Sequence, residues 1–419
     1  MHRRTPWSRR ASAPRRGWAA ALAAAVLAVG LGGATAGPAG AAEHLPRASD
    51  LLGPDRLTVL SPGPWRVTRT DDNTAGTGIN TLCQQARFAD PDGYAALVRR
   101  STTGTGRSVV QSVEVSRSRT AARRTFGTAL GWWAGCQVAG LRLTGSARVS
   151  GAGDEARVLT FHRATRPAKT YTVAVTRTGQ VTSTLVLAGV HGAAAPSDVV
   201  STIALSVAPL CARDGRVQAD YLASADCLRS PAWHPASLPS VRGRRGVLEV
   251  VDLPAVAKLR RAWAATSPRA VHRNPAATAC DEATFAGARP LRSSTYVVPG
   301  ASLPARFGLA ETYGVFPTPR AATGFLAEVR HRFATCEHRD LAARVTAAGG
   351  GHDVSRWRLT TKVSKHDAVR FRVGFVRVGN AVAEVTFTPT PGVDLTDASF
   401  AALVDRAGQR LGGVARTAP

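Results

Sequence analysis

The sequence predicts an α+β protein of two tandem domains, each an antiparallel β-sheet packed with helices and tied by a disulfide. Three observations carry this. Segments of the chain recur in one order at a nearly constant offset of 200 residues. Each repeat shows both strand-like and helix-like apolar periodicity. The six cysteines fall into two matched pairs and a third pair between the repeats.

Cys83-Gln-Gln-Ala-Arg-Phe-Ala recurs as Cys280-Asp-Glu-Ala-Thr-Phe-Ala, with Cys, Ala, Phe and Ala at the same spacing. Residues 118–136 then align with 318–336 without a gap, and 171–187 with 371–387, matching Arg177 to Arg377 and Gly179 to Gly379. Closing segments 197–210 and 396–411 agree in pattern. One chance match is ordinary; a whole series in order is the mark of a duplication.

The duplication allows each element to be read twice. Val109, Val113 and Val115 correspond to Leu309, Tyr313 and Val315, a period of two and hence a strand. A helix follows, with Ala122, Phe126, Ala129, Leu130 and Trp133 on one face, matched by Ala322, Leu326, Val329 and Phe333. Ser118 and Thr318 are its expected N-caps, Thr318 being followed by Pro319 in the first helical position. Strands are expected near Arg157–Phe161 and Trp357–Thr361. A hairpin comes next. If it has one buried face, an odd, three-residue loop centred on Gly179 is needed to put Val173 and Val175 on the same side as Val181, Leu185 and Leu187. The same argument applies to Gly379. Last comes a helix capped by Ser197-Asp198 or Thr396-Asp397, carrying Phe400, Leu403, Val404, Ala407 and Leu411 in the second repeat.

Six cysteines in an exported chain read as three disulfides. Pairing Cys83 with Cys136 and Cys280 with Cys336 satisfies both repeats alike, and leaves Cys211 with Cys227 in the connection. Each large loop closed in this way stabilises the fold by roughly 3–4.5 kcal/mol on the chain-entropy account.

The N-terminus reads as a secretory signal peptide over residues 1–42. It has six arginines and no acid before Trp18, an Ala/Leu/Val/Gly run to about Gly33, and small residues at Ala34-Thr35-Ala36 and Ala39-Gly40-Ala41-Ala42. No later stretch is long and apolar enough to span a membrane. The expected organisation is then 43–211 for the first domain, 212–235 for a linker and 236–419 for the second domain. Losing the six leader arginines takes the formal net charge from +26 to about +20, nearly all of it arginine. An exported chain of that sign is drawn to anionic polymers or headgroups. Nucleic acid is not expected as a partner, since no basic helix or aromatic-basic stripe is present.

The spacing in Ala122–Cys136 and Ala322–Cys336, followed by a hairpin turn of the kind Arg377-Val378-Gly379-Asn380 and a closing helix, resembles the PknH-type extracellular sensor domain family of actinobacteria. It covers most of 83–210 and 280–411. The resemblance implies an antiparallel sheet packed with helices, a cleft for an unidentified ligand, and no catalysis. The chain departs from that family's pattern in lacking a second cystine beside the hairpin, a kinase domain and a transmembrane helix.

Catalytic patterns are scarce. The ten histidines are scattered, Glu328-x-x-His331 is half a metal motif, and no H-E-x-x-H, G-x-S-x-G or P-loop is present. Asp154-Glu155 could supply one carboxylate of a wall-hydrolase pair, yet they follow Gly151-Ala152-Gly153 as turn residues do. No cofactor or metal is expected. The ligand-contacting residues expected are Trp132, whose neighbour Trp133 takes the buried helix face, and Arg177 and Arg377 beside the hairpin turns, placed to meet an anion. The expected function is therefore non-catalytic recognition of a small envelope ligand or an anionic wall polymer by a secreted, two-lobed monomer. A cationic adhesive role is the alternative, and a wall-active enzyme a lesser one.

Overall fold

Both hairpins turn in two residues. Thr178 pairs with Val181 and Val378 with Ala381, leaving Gly179-Gln180 and Gly379-Asn380 as the turns. The glycines sit at φ 61° and 58°, the left-handed region that such a turn demands of its first residue. The expected three-residue loop is therefore corrected. Its premise of one buried face fails, because a helix covers each face of the sheet. Val173 and Val175 pack with Phe126 and Trp133 on one side, while Ala174 and Leu185 pack with Val199 and Ile203 on the other.

The structure, a computed structural model, describes residues 45–61, 63–189, 192–211, 227–255 and 261–415. The expected signal peptide lies outside them, as does most of the expected linker. In the first repeat, a short helical turn α1 (Pro54–Leu57) precedes β1 (Trp65–Asp71), β2 (Ala95–Thr103) and β3 (Ser108–Val115). Next come α2 (Arg119–Ala134), β4 (Leu141–Ala152), β5 (Glu155–Arg163), β6 (Lys169–Thr178), β7 (Val181–Gly189) and α3 (Pro196–Val207). Residues of the expected linker then form β8 (Leu228–Pro235). The second repeat has β9 (Ala264–Ala265), β10 (Arg269–Ala270), β11 (Leu291–Val297), β12 (Gly308–Val315), α4 (Pro319–Arg339), β13 (Ala343–Gly350), β14 (Val354–Lys362), β15 (Ala368–Val378), β16 (Ala381–Thr388) and α5 (Asp397–Ala415).

Strand order is β1-β2-β3-β7-β6-β5-β4-β8 in the first sheet and β10-β11-β12-β16-β15-β14-β13 in the second, with β9 on β11. Every pairing is antiparallel. The registers repeat as well: Ser108 faces Ala188 and Gly308 faces Thr388, the same positions 200 residues apart. Ser118 and Thr318 cap their helices by accepting the amides of Ala121 and Ala321. Thr396 likewise accepts from the Ser399 amide, whereas α3 begins at Pro196 with Ala195 before it and no side-chain cap.

The three disulfides are Cys83–Cys136, Cys211–Cys227 and Cys280–Cys336. The two repeat disulfides close nearly equal spans, with Cα atoms 5.2 and 5.1 Å apart. Each stands beside an aromatic pair from helix and sheet: Trp133 on Phe161 in the first repeat, Phe333 stacked on Trp357 in the second.

The described residues form one compact unit, and a single turn explains much of that. In the 3-10 turn Val250–Asp252, Val250 packs into the second core while its neighbour Val251 enters the first, beside Trp133 and Phe161. Asp252 is buried and accepts from Arg410 of α5 at 2.7 and 3.1 Å, and Arg406 of α5 reaches the Leu143 carbonyl of β4 at 3.1 Å.

Candidate functional site

A cleft of about 1380 Å³ lies where α2 of the first repeat faces residues 237–250 and the C-terminal helix of the second. Its first wall follows from the helical period. With Ala122, Phe126, Ala129 and Trp133 turned inward, Arg124, Thr128, Gly131 and Trp132 are left on the cleft side. Gly135 lets the opposite wall come close, since a Cβ there would stand 2.9 Å from Val241 Cγ2.

That opposite wall is a loop organised around one carboxylate. Glu249 accepts the Val241 amide at 2.9 Å and Arg244 Nε at 2.8 Å, and Arg244 also donates to the Leu248 carbonyl at 3.0 Å. Burial pushes the Glu249 carboxyl up to about 7, even though Arg244 and Arg410 pull it down. With Arg244 folded inward, its neighbours Arg242 and Arg245 are exposed along the cleft. Gly246 is fixed by contact as well as by φ of 84°, because a Cβ would overlap Val414 and crowd Tyr313.

The electrostatics are one-sided. Arg124, Arg157, Arg242, Arg245 and Arg292 line the cleft without a hydrogen bond or ion pair to a carboxylate among the described residues. The single acidic side chain in the lining, Glu249, is already paired with Arg244. Half-buried Arg157 is held below the ordinary arginine range by burial and then by the neighbouring Arg148, with Glu155 opposing weakly. Like charges confined near a low-dielectric wall repel strongly, and an anion between them relieves that repulsion.

Of the residues singled out from the sequence, Trp132 stands in this wall, partly exposed. Arg177 and Arg377 do not reach it, and their expected role toward an anionic ligand is corrected. The Arg177 side chain, 5% exposed, holds Asp154 at 2.6 Å, Glu155 at 2.9 Å and the Gly179 carbonyl at 3.2 Å. Arg377 pairs with Asp353 and donates to the Gly379 carbonyl at 2.8 Å. In both repeats the arginine latches the hairpin turn to the adjacent turn of the sheet, so its charge is neutralised internally. Burial raises the Asp353 carboxyl, but hydrogen bonds from Arg377 and His352 outweigh this and leave it lowered. The same latch occupies Asp154 and Glu155. Glu328 pairs with Arg332 along its own helix at 2.9 Å, and among the described residues no three His, Cys, Asp or Glu side chains converge as a metal site would require.

The cleft arginines were not singled out from the sequence. Arg242-Gly-Arg-Arg245 is a visible basic run, but what turns two of its side chains outward is the buried Arg244–Glu249 pair, a tertiary contact.

No family model matches this chain, and no curated protein does. Among solved structures it is similar to the extracellular domain of PknH from Mycobacterium tuberculosis, at 15% identity over 35% of this chain and 85% of that one, with a TM-score of 0.27. It is also similar to the di-domain ARO/CYC StfQ from the steffimycin biosynthetic pathway, at 9% identity, 77% and 84% coverage and a TM-score of 0.11. The relation to the sensor domain is thus a loose structural one, and none of these scores bears on what the cleft takes. Among the described residues, no helix is long and apolar enough to cross a membrane.

Proposed function

We propose that this is a secreted, non-catalytic binding protein that takes an anionic ligand in the cleft between its two repeats. The observation that supports this reading is the gathering of five arginines, without carboxylate partners among the described residues, around Trp132 in one large cleft. The arginines supply charge and planar donors for phosphate or carboxylate oxygens, and Trp132 offers an apolar face for a sugar or acyl portion. Export accords with the leader-like N-terminus and with three disulfides.

The test is a thermal-shift titration of the oxidised full-length mature chain with poly(glycerol phosphate) and with a short polyuronate. The melting temperature should rise with ligand concentration and keep part of that rise at moderate salt. Arg157→Gln and Arg292→Gln should each weaken binding about tenfold, the loss of one charge-assisted contact. Arg66→Gln, an exposed arginine of β1 outside the cleft, should change little. If Arg66→Gln weakens binding as much, or moderate salt abolishes it, the net charge of about +20 on the mature chain acts diffusely and the protein is a cationic adhesive instead.

A further inference from the structure

The two sheets end differently. In the first, β4 is not the edge, because β8 pairs along it from Ala147 opposite Pro235 to Ala152 opposite Leu228. The chain then continues across the end of α2. Ala236 donates its amide to the Ser146 carbonyl, Ser146 Oγ donates to the Ser237 carbonyl, both at 3.1 Å, and Leu238 and Val251 pack beside Trp133. The groove between helix and edge strand is filled.

In the second sheet β13 is the last strand. Register identifies its counterpart of Ser146. Leu159 faces Val173 and Trp357 faces Val373, and across the next pairing Leu159 faces Ser146 while Trp357 faces Ala347. Ala347 therefore occupies the place from which the first repeat extends its sheet. The amides of Ala343 and Val345 point away from β14 and are taken by the Asp340 carbonyl and by Glu337 Oε1. These close the lower part of the edge, a common guard against strand pairing. Alternation turns the Ala347 amide and carbonyl the same way, and there the guard ends. Alongside lies a groove of about 580 Å³ with Phe333, Trp357 and Val345 in its walls. Of its two arginines, Arg330 is engaged with Ser355 Oγ and the Gly351 and His352 carbonyls, while Arg356 reaches Asp405 at 3.4 Å and keeps a buried Nε without a partner among the described residues. What is left to satisfy is backbone polarity, apolar surface and the Arg356 Nε donor, which a polypeptide strand with its carbonyls and side chains can meet together.

We propose that the edge of β13 from Ala347 onward, with the groove beside Phe333 and Trp357, is a docking site for an extended segment of a partner polypeptide. The segment adds as one more antiparallel strand and sets a bulky apolar side chain in the groove, as the chain itself does on β4.

The probe is a capped synthetic peptide of residues 228–241, the sequence that pairs with the equivalent edge, titrated into the oxidised full-length mature chain. Saturable binding is expected, with slowed amide exchange over residues 346–351. Ala347→Pro should weaken it at least tenfold, since proline removes an outward amide that the sheet itself does not use and that edge strands can lose. Ala334→Trp, on the exposed groove-side face of α4, should weaken it similarly by filling the groove, and carries the test should the proline variant not fold. Absence of saturable binding overturns the proposal, and so does binding that both variants leave unchanged. Loss of peptide binding in Arg157→Gln also overturns it, placing the peptide in the cleft between repeats. Self-association of the chain that Ala347→Pro removes overturns it too, making a second molecule of the same protein the occupant.

Discussion

Gln111 and Glu311 occupy one position in the two repeats and do one job. Gln111 Oε1 accepts the Leu52 amide at 2.8 Å, and Glu311 Oε2 accepts the Leu248 amide at 2.8 Å and the Tyr296 hydroxyl at 2.6 Å. Both side chains are buried. The difference is that Glu311 can ionise, and burial pushes its carboxyl up to about 7 against the hydrogen bonds that hold it down. The folded protein thus keeps this proton up to about pH 7, while the unfolded chain releases it near 4.5. Stability from this group is complete at acid pH and declines as pH rises through that window. Glu311→Gln should leave the melting temperature nearly unchanged at pH 5 and raise it by several degrees at pH 8. Calorimetry at the two values decides it, and parallel curves for variant and wild type would refute the assignment. Legibility at this scale was mixed. The partial exposure of Trp132 and the disulfide cysteines could be read from periodicity and repetition, whereas Arg177 and Arg377 were misread because an arginine beside a turn looks alike whether solvated or latched to an acid. A polar residue recurring inside an apolar strand, as at 111 and 311, was a signal left unread.

Among the elements, α2, α4, β3, β5, β6, β7 and the closing helices followed from the sequence, since each carries a full period of apolar residues and occurs twice. β1, β2, β4, β8, β9, β10, β11 and β13 did not. Of these, β1, β8 and β10 are edge strands with few or no buried side chains, so burial imposes no period on them. The hairpin register was misjudged for the opposite reason: β6 is buried on both faces over most of its length, and alternation disappears. Packing on the second of those faces can be tested with two glycines. A Cβ at Gly374 of β15 would overlap Val404 of α5, so Gly374→Ala should destabilise by about 1–3 kcal/mol. Gly324 lies on the exposed face of α4 with nothing within 4 Å of its would-be Cβ, and Gly324→Ala should stabilise by up to about 1 kcal/mol. Urea unfolding measures both, and equal effects would mean that the β15–α5 contact is looser than described.

For the whole molecule, the duplication predicted two sheets but not how they join. Period and spacing describe each repeat, while the union depends on adjacent valines that enter different cores. Val251→Asn would bury an unmatched amide in the first core and should cost about 1–3 kcal/mol. The wild-type chain should melt in a single calorimetric transition, and this variant should show an earlier one from the first repeat. A variant that still melted as one would refute the idea that this turn couples the halves.

The shared turn also decides where the gene can be divided. A fragment ending at Pro235 would be complete by homology yet lack Leu238 and Val251, which seal its interior beside Trp133. A fragment starting after Val251 would lose Val247, Leu248 and Val250 from its own interior. The seam between the ancestral halves is therefore held in common, and expressing either alone requires residues 236–253 to be supplied to both.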